Sequence, residues 1–197
     1  MQDLDNLLKS ANNLFFKKRF NDAIILYDKI LEFDPLNLDA INNKGYALSK
    51  SKNYQNAINC FNIGLKNNPR EKSLLINKIS ALRKMKLFDH ALNSCNIILK
   101  NNPDELIILY HKLRILHEIR NYEESLKICN KILDLYPNNG DVLFDKSSNL
   151  AYLSRTVECI ESLNLAIIAS KKFKIKAKKS KSFQTYKKNP NFLKLVK

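Results

Sequence analysis

The sequence predicts an all-α protein built from about five copies of a two-helix unit. Its 197 residues include only three glycines and five prolines, which favours long regular segments with few turns. Apolar residues follow helical spacing, and runs of β-branched residues are absent. The segment LKNNPRE at 65–71 returns as LKNNPDE at 99–105, which is 34 residues later. We therefore expect a helical repeat protein.

Several other columns of the sequence keep the same 34-residue period. Four prolines stand at this interval: Pro35, Pro69, Pro103 and Pro137. An aromatic residue comes fifteen residues before each of them: Phe20, Tyr54, Phe88 and Tyr122. A small residue comes twelve residues before each of them: Ala23, Ala57, Ala91 and Ser125. So many columns do not stay in step by chance, so one structural unit has been copied.

The unit 38–71 shows how each copy is predicted to fold. One apolar stripe at helical spacing includes Ile41, Gly45 and Leu48, and a second runs from Tyr54 to Leu65. The polar segment 49–53 separates the stripes, and the closing proline ends the second helix because it has no N–H to donate. Each unit is therefore a helix-turn-helix whose apolar stripes are buried only when neighbouring units stack.

This pattern resembles the tetratricopeptide repeat (TPR) family. The match is best in unit 38–71, where Gly45, Leu48, Ala57, Phe61 and Pro69 fall on the family signature. The other units are 4–37, 72–105, 106–139 and 140–173, so that 1–173 is predicted to be the repeat array. The signature tryptophan is absent throughout, and the fifth unit has Thr156 in the aromatic column and Lys171 in the proline column.

The resemblance implies a right-handed superhelical solenoid whose concave groove is lined by the first helix of each unit. It implies that a peptide or helix of a partner protein binds in this groove. The groove residues implied by the resemblance are Asn12, Asn43, Tyr46, Asn77, Arg83, Tyr110, His111, Arg114 and Phe144. Amides suit a peptide backbone, aromatic rings offer apolar pockets, and arginines pair with acidic groups. The alternative is that these residues form ordinary solvated helix faces.

The sequence contains no recognisable catalytic, cofactor or metal site. Its three glycines are too scattered for a phosphate-binding loop, and the His117-Glu118 pair lacks the second histidine of a zinc-protease helix. The four cysteines show no C-x-x-C spacing, which indicates core packing in a reducing compartment. We therefore expect a non-catalytic cytoplasmic protein with no cofactor, no metal and no small-molecule substrate.

The C-terminal part of the sequence is strongly basic. Residues 171–197 contain eleven lysines and no acid, so this segment carries +11 of the formal net charge of +15. The lysines considered for anion binding are Lys171, Lys172, Lys174, Lys176, Lys178, Lys179 and Lys181. Residues 174–197 are predicted to be either a lysine-rich capping helix or a disordered tail.

Two functional hypotheses follow from the sequence. The first is an interaction scaffold that binds a protein partner in the groove of the repeat array. The alternative is an adaptor whose basic tail binds RNA, DNA or an anionic membrane surface, with the repeats as a spacer.

Overall fold

A computed structural model describes residues 2–197. Within this range the chain forms twelve α-helices and one 3₁₀ helix and contains no strand. The α-helices are α1 (Gln2–Phe16), α2 (Phe20–Phe33), α3 (Leu38–Lys50), α4 (Tyr54–Asn67), α5 (Lys72–Lys84), α6 (Phe88–Asn101), α7 (Leu106–Glu118), α8 (Tyr122–Leu135), α9 (Gly140–Tyr152), α10 (Thr156–Ala169), α11 (Lys172–Lys179) and α12 (Pro190–Val196). The 3₁₀ helix is Lys181–Lys188. The prediction of an all-α fold of helix-turn-helix repeats is confirmed.

Helices α1 to α10 alternate as first and second helices of five helix-turn-helix pairs within the described range. The second helices begin at Phe20, Tyr54, Phe88, Tyr122 and Thr156, each 34 residues after the one before. The helices fall into two compact units, Met1–Ile97 and Ile98–Lys197.

The turn inside each helix pair contains one residue with a left-handed backbone. These residues are Lys18, Lys52, Lys86, Arg120 and Ser154, with φ between 59° and 66°. Around Lys52, the Asn53 N–H donates to the Leu48 carbonyl at 2.8 Å, which closes the end of α3 as a Schellman-type cap. Glycine is the residue usually found at this position, because a side chain there costs conformational energy.

The loops between successive pairs are shaped by the periodic prolines and by polar caps. The residue before the proline is non-helical at Asp34, Asn68 and Tyr136, with φ between −127° and −137°. The first helix of the following pair then begins with a side-chain cap. At the start of α9, for example, Asn139 Oδ1 accepts a hydrogen bond from the Val142 N–H at 3.2 Å.

The core of the first unit depends on close approach of small residues. Tyr27 and Ile30 of α2 are buried among alanines that include Ala11, Ala40 and Ala47. Gly45 of α3 faces the ring of Phe61 on α4, and a Cβ at this position would overlap that ring. The absence of a side chain at Gly45 therefore sets the distance between α3 and α4.

The core of the second unit includes residues from the C-terminal helices. Phe144 of α9 lies 5.4 Å from Phe173 and 5.7 Å from Phe183, measured between ring centroids. Tyr186, Phe192 and Val196 are buried in the same cluster. Residues 172–196 thus form helical segments that pack on α9 and α10 through aromatic side chains. Among the described residues, no helix is long and apolar enough to cross a membrane.

Candidate functional site

In the first unit, three of the predicted groove residues line one open cleft. Asn12 of α1 and Asn43 and Tyr46 of α3 border a cavity of about 240 Å³. The rings of Phe15 and Phe16 complete its apolar side, and Phe16 is 79% exposed. The cleft therefore combines aromatic surface with side-chain amides, a combination that suits an apolar side chain and its flanking peptide bonds.

A hydrogen-bonded triad orients the amides of this cleft. Asn12 Oδ1 accepts from the Tyr27 hydroxyl at 2.7 Å and from Asn43 Nδ2 at 3.1 Å. Burial raises the pKa of Tyr27 to about 12, so its hydroxyl remains protonated and donates at neutral pH. The triad joins α1, α2 and α3, so Asn12 and Asn43 hold the helices in place as well as lining the cleft.

Asn77 has a similar structural contact. Its Nδ2 donates to Asn42 Oδ1 at 2.9 Å, which ties α5 to α3. Arg83 is half-buried near the C-terminal end of α5. Neither Asn77 nor Arg83 is among the residues that border the cleft around Asn12.

In the second unit, another three predicted residues line a second cleft. Tyr110, His111 and Arg114 of α7 border a cavity of about 290 Å³ together with Ile107 and Asp141. Asn139 Nδ2 donates to the Tyr110 hydroxyl at 2.5 Å and holds the ring at the N-terminal end of α9. Burial raises the pKa of Tyr110. The exposed Arg114 offers a guanidinium to an acidic group, and Ile107 offers apolar contact.

Phe144 does not lie in either cleft. Its ring is buried under α11 and the 3₁₀ helix, and Lys176 Nζ lies 4.1 Å from the ring centroid. Next to it, burial raises the pKa of the Asp145 carboxyl, while Lys176 and Arg114 oppose this shift. Phe144 lies on a first helix, as predicted, but the C-terminal extension (residues 171–197) packs over its side chain.

The predicted lysines of the extension lie mainly on its outer surface. Lys171, Lys178, Lys179 and Lys181 are exposed. Lys172 Nζ contacts Asp141 Oδ2 at 3.2 Å, which places this lysine beside the second cleft. Lys174 is half-buried and borders a separate cleft against α10.

A buried polar cluster in the second unit was missed by sequence reasoning. His117 Nδ1 donates to Asn149 Oδ1 at 2.7 Å, and Asn149 Nδ2 donates to Ser125 Oγ at 2.8 Å. Ser125 Oγ in turn contacts the Leu113 carbonyl at 3.3 Å. The sequence signal for it is Ser125 itself, which follows Ala23, Ala57 and Ala91 in the same column. These bonds satisfy polar groups between α7, α8 and α9, and they do not expose a reactive atom.

The four cysteines are buried thiols. Burial raises the pKa of Cys129 to about 12 and that of Cys159 to about 11, so neither is a thiolate at neutral pH. Within residues 2–197, no group of three or more His, Cys, Asp or Glu residues is placed to hold a metal ion.

Comparison with known families agrees with this geometry. Two profiles described as tetratricopeptide repeat match residues 26–59 and 107–139. The second segment coincides with the pair α7–α8, whereas the first runs from within α2 through α3 into α4. The chain contains tetratricopeptide repeats. TPR proteins generally mediate interactions between proteins.

Solved structures of other TPR-type chains share the fold of this TPR protein. YrrB, described as a TPR protein with an unusual peptide-binding site, is 20% identical with a TM-score of 0.70, covering 88% of this chain and 91% of YrrB. MamA 41-end from Desulfovibrio magneticus RS-1 is 14% identical with a TM-score of 0.79, covering 87% of this chain and 97% of MamA. Another MamA structure is 15% identical with a TM-score of 0.75, covering 91% of this chain and 97% of that MamA chain. No curated protein matches the sequence significantly.

Proposed function

We propose that this TPR protein is a non-catalytic scaffold that binds a peptide or helix of a partner protein through the clefts on its first helices. The observation that carries the proposal is the grouping of six predicted first-helix residues into two open clefts, three in each unit. YrrB, a structural neighbour described as having a peptide-binding site, supports the same kind of ligand.

The chemistry of the two clefts defines the ligand. The first cleft offers the rings of Phe15, Phe16 and Tyr46, which favour an apolar or aromatic side chain. The second cleft offers Arg114 beside Ile107, which favours an acidic residue next to an aliphatic one. We expect a partner segment of this composition to bind. We also expect the protein to be cytoplasmic, because its four cysteines are buried free thiols.

Selection from a randomised peptide library displayed on phage, with the full chain as bait, tests the proposal. Selected peptides are expected to combine apolar and acidic residues. Their affinities are then measured by calorimetry for Phe16→Ala and Arg114→Ala, which are expected to bind about tenfold more weakly because each removes a central contact.

Matched controls come from the second helices. Asn62→Ala on α4 and Asn130→Ala on α8 change exposed residues outside both clefts and are expected to bind as tightly as the unmodified chain. Unchanged affinity in both cleft variants, with the fold intact by circular dichroism, would rule out the clefts as the binding site.

A further inference from the structure

We infer that the cleft between α10 and the C-terminal helices docks an acidic amphipathic helix of a partner protein. This surface shares no residue with the two first-helix clefts, so it is a second interaction site. It lies wholly within the second unit.

The cleft has an apolar floor and basic walls. Its volume is about 470 Å³, and its floor is formed by Ile160 and Ile167 of α10 and Leu195 of α12. Lys174 of α11 and Lys194 of α12 border it from the extension. Glu161 is the acidic residue among those that line it. A ligand that fills the cleft therefore places apolar side chains on the floor and negative charge toward the two lysines.

Helix α10 presents further apolar side chains beside this cleft. Val157 and Ile168 are 71% and 73% exposed, and their spacing from Asn164 places them on the same helix face as that cleft residue. The corresponding outer face of α8 carries polar residues such as Glu123, Lys127 and Asn130. An exposed apolar face bordered by charged residues is typical of a protein interaction surface.

Charge complementarity determines which occupant fits. Residues 171–197 contain eleven lysines and no acid, so the same surface of a second copy of this chain would bring like charge to the cleft. A flat membrane surface would attract the lysines but would not reach the recessed Ile160, Ile167 and Leu195. An acidic helix satisfies both features, because its apolar stripe enters the cleft while its flanking carboxylates meet Lys174 and Lys194.

Calorimetry with the full chain and designed helical peptides tests this inference. One peptide, matching the 14-residue length of α10, carries leucines on one stripe and glutamates beside it; a second has lysine in place of every glutamate. The acidic peptide is expected to bind, more weakly as salt rises, and the basic peptide about tenfold more weakly.

A charge reversal with a matched control locates the site. The double variant Lys174→Glu/Lys194→Glu is expected to lose about tenfold in affinity for the acidic peptide and to gain affinity for the basic one. Lys171→Glu/Lys188→Glu makes the same change of charge at exposed residues outside the cleft lining and is expected to bind as the unmodified chain does.

Three results would overturn the inference. If both double variants weakened the binding of the acidic peptide equally, the peptide would be attracted to the basic extension as a whole. The same conclusion would follow if a scrambled acidic peptide without a leucine stripe bound as tightly as the designed one. Tighter binding of phosphatidylserine vesicles or single-stranded RNA, with the same dependence on Lys174 and Lys194, would assign the surface to a lipid or nucleic-acid ligand.

Discussion

The helix pairs α3–α4 and α9–α10 use the same first-helix position in different ways. In α3, Asn42 accepts a hydrogen bond from Asn77 of the next first helix. Phe144 holds the equivalent place in α9, 102 residues further along the chain, and packs against Phe173 and Phe183 of the extension. The repeat determines where the side chain stands, whereas the segment that packs over it determines whether a polar or aromatic residue fits. The following predictions test this contrast.

The largest effect is expected in the aromatic cluster of the extension. Phe183→Ala removes a buried ring that contacts Phe144, Tyr186 and Phe192, so it should lower the free energy of unfolding by about 3–5 kcal/mol. Urea denaturation followed by circular dichroism measures this change. Phe16→Ala, which removes an exposed ring, serves as the control and should change the stability by less than about 1 kcal/mol. Equal losses of stability for Phe183→Ala and Phe16→Ala would mean that the Phe183 ring is not part of the hydrophobic core.

A smaller loss is expected where α3 meets α4. Gly45→Ala places a methyl group against the Phe61 ring, and displacing that ring should cost about 1–3 kcal/mol despite the better helix propensity of alanine. Thermal and urea unfolding measure the change. Asn56→Ala, at an exposed position of α4, is the control and should be nearly neutral. A more stable Gly45→Ala variant would show that the ring moves without cost.

The polar contact between repeats is expected to be weaker still. A double-mutant cycle of Asn42→Ala and Asn77→Ala should give a coupling of about 0.5–1.5 kcal/mol, which is the usual contribution of one hydrogen bond between neutral groups. Urea unfolding of the four proteins in the cycle supplies the values. Independent, additive effects would contradict a direct bond between the two amides.

The smallest expected effect is a gain in stability, which should be similar in the two helix pairs. Lys52→Gly and Ser154→Gly each relieve a left-handed backbone at the same place in their repeats, and each should raise stability by about 0.5–1 kcal/mol. Differential scanning calorimetry measures the corresponding rise in melting temperature. Asn62→Gly, in the interior of α4, should be destabilising because glycine is a poor helix former. A loss in both turn variants would mean that the lysine and serine side chains stabilise these turns.

The periodic columns of the sequence allowed the helices to be predicted, because proline and the aromatic column mark where helices end and begin. The resemblance to the TPR family implied the groove residues, of which Asn12, Asn43 and Tyr46 lie in one cleft and Tyr110, His111 and Arg114 in another. Phe16 was missed because its column holds Lys50, Lys84 and Glu118 in the next three repeats. Periodicity identifies equivalent backbone positions but does not reveal what covers them.

The C-terminal helices are the part of the fold that the sequence predicted least well. Residues 172–196 lack the repeat pattern, so their lysines dominated the interpretation of the segment. The structure buries the few apolar residues between those lysines, including Phe173, Phe183 and Phe192. Their spacing matches no single helix because three short helical segments carry them. A capping helix was one of the two alternatives predicted for 174–197, but the burial of Phe144 beneath this segment was not foreseen.

The left-handed turns also expose basic side chains at regular points along the chain. Lys18, Lys52, Lys86 and Arg120 stand at the exposed tips of successive turns, whereas most other lysines lie within helices. Trypsin cleaves after such residues, and exposed turns are cut before helical segments are. Brief digestion of the native protein should therefore release a ladder of fragments that differ by 34 residues, so that the repeat can be read directly from a mass spectrum.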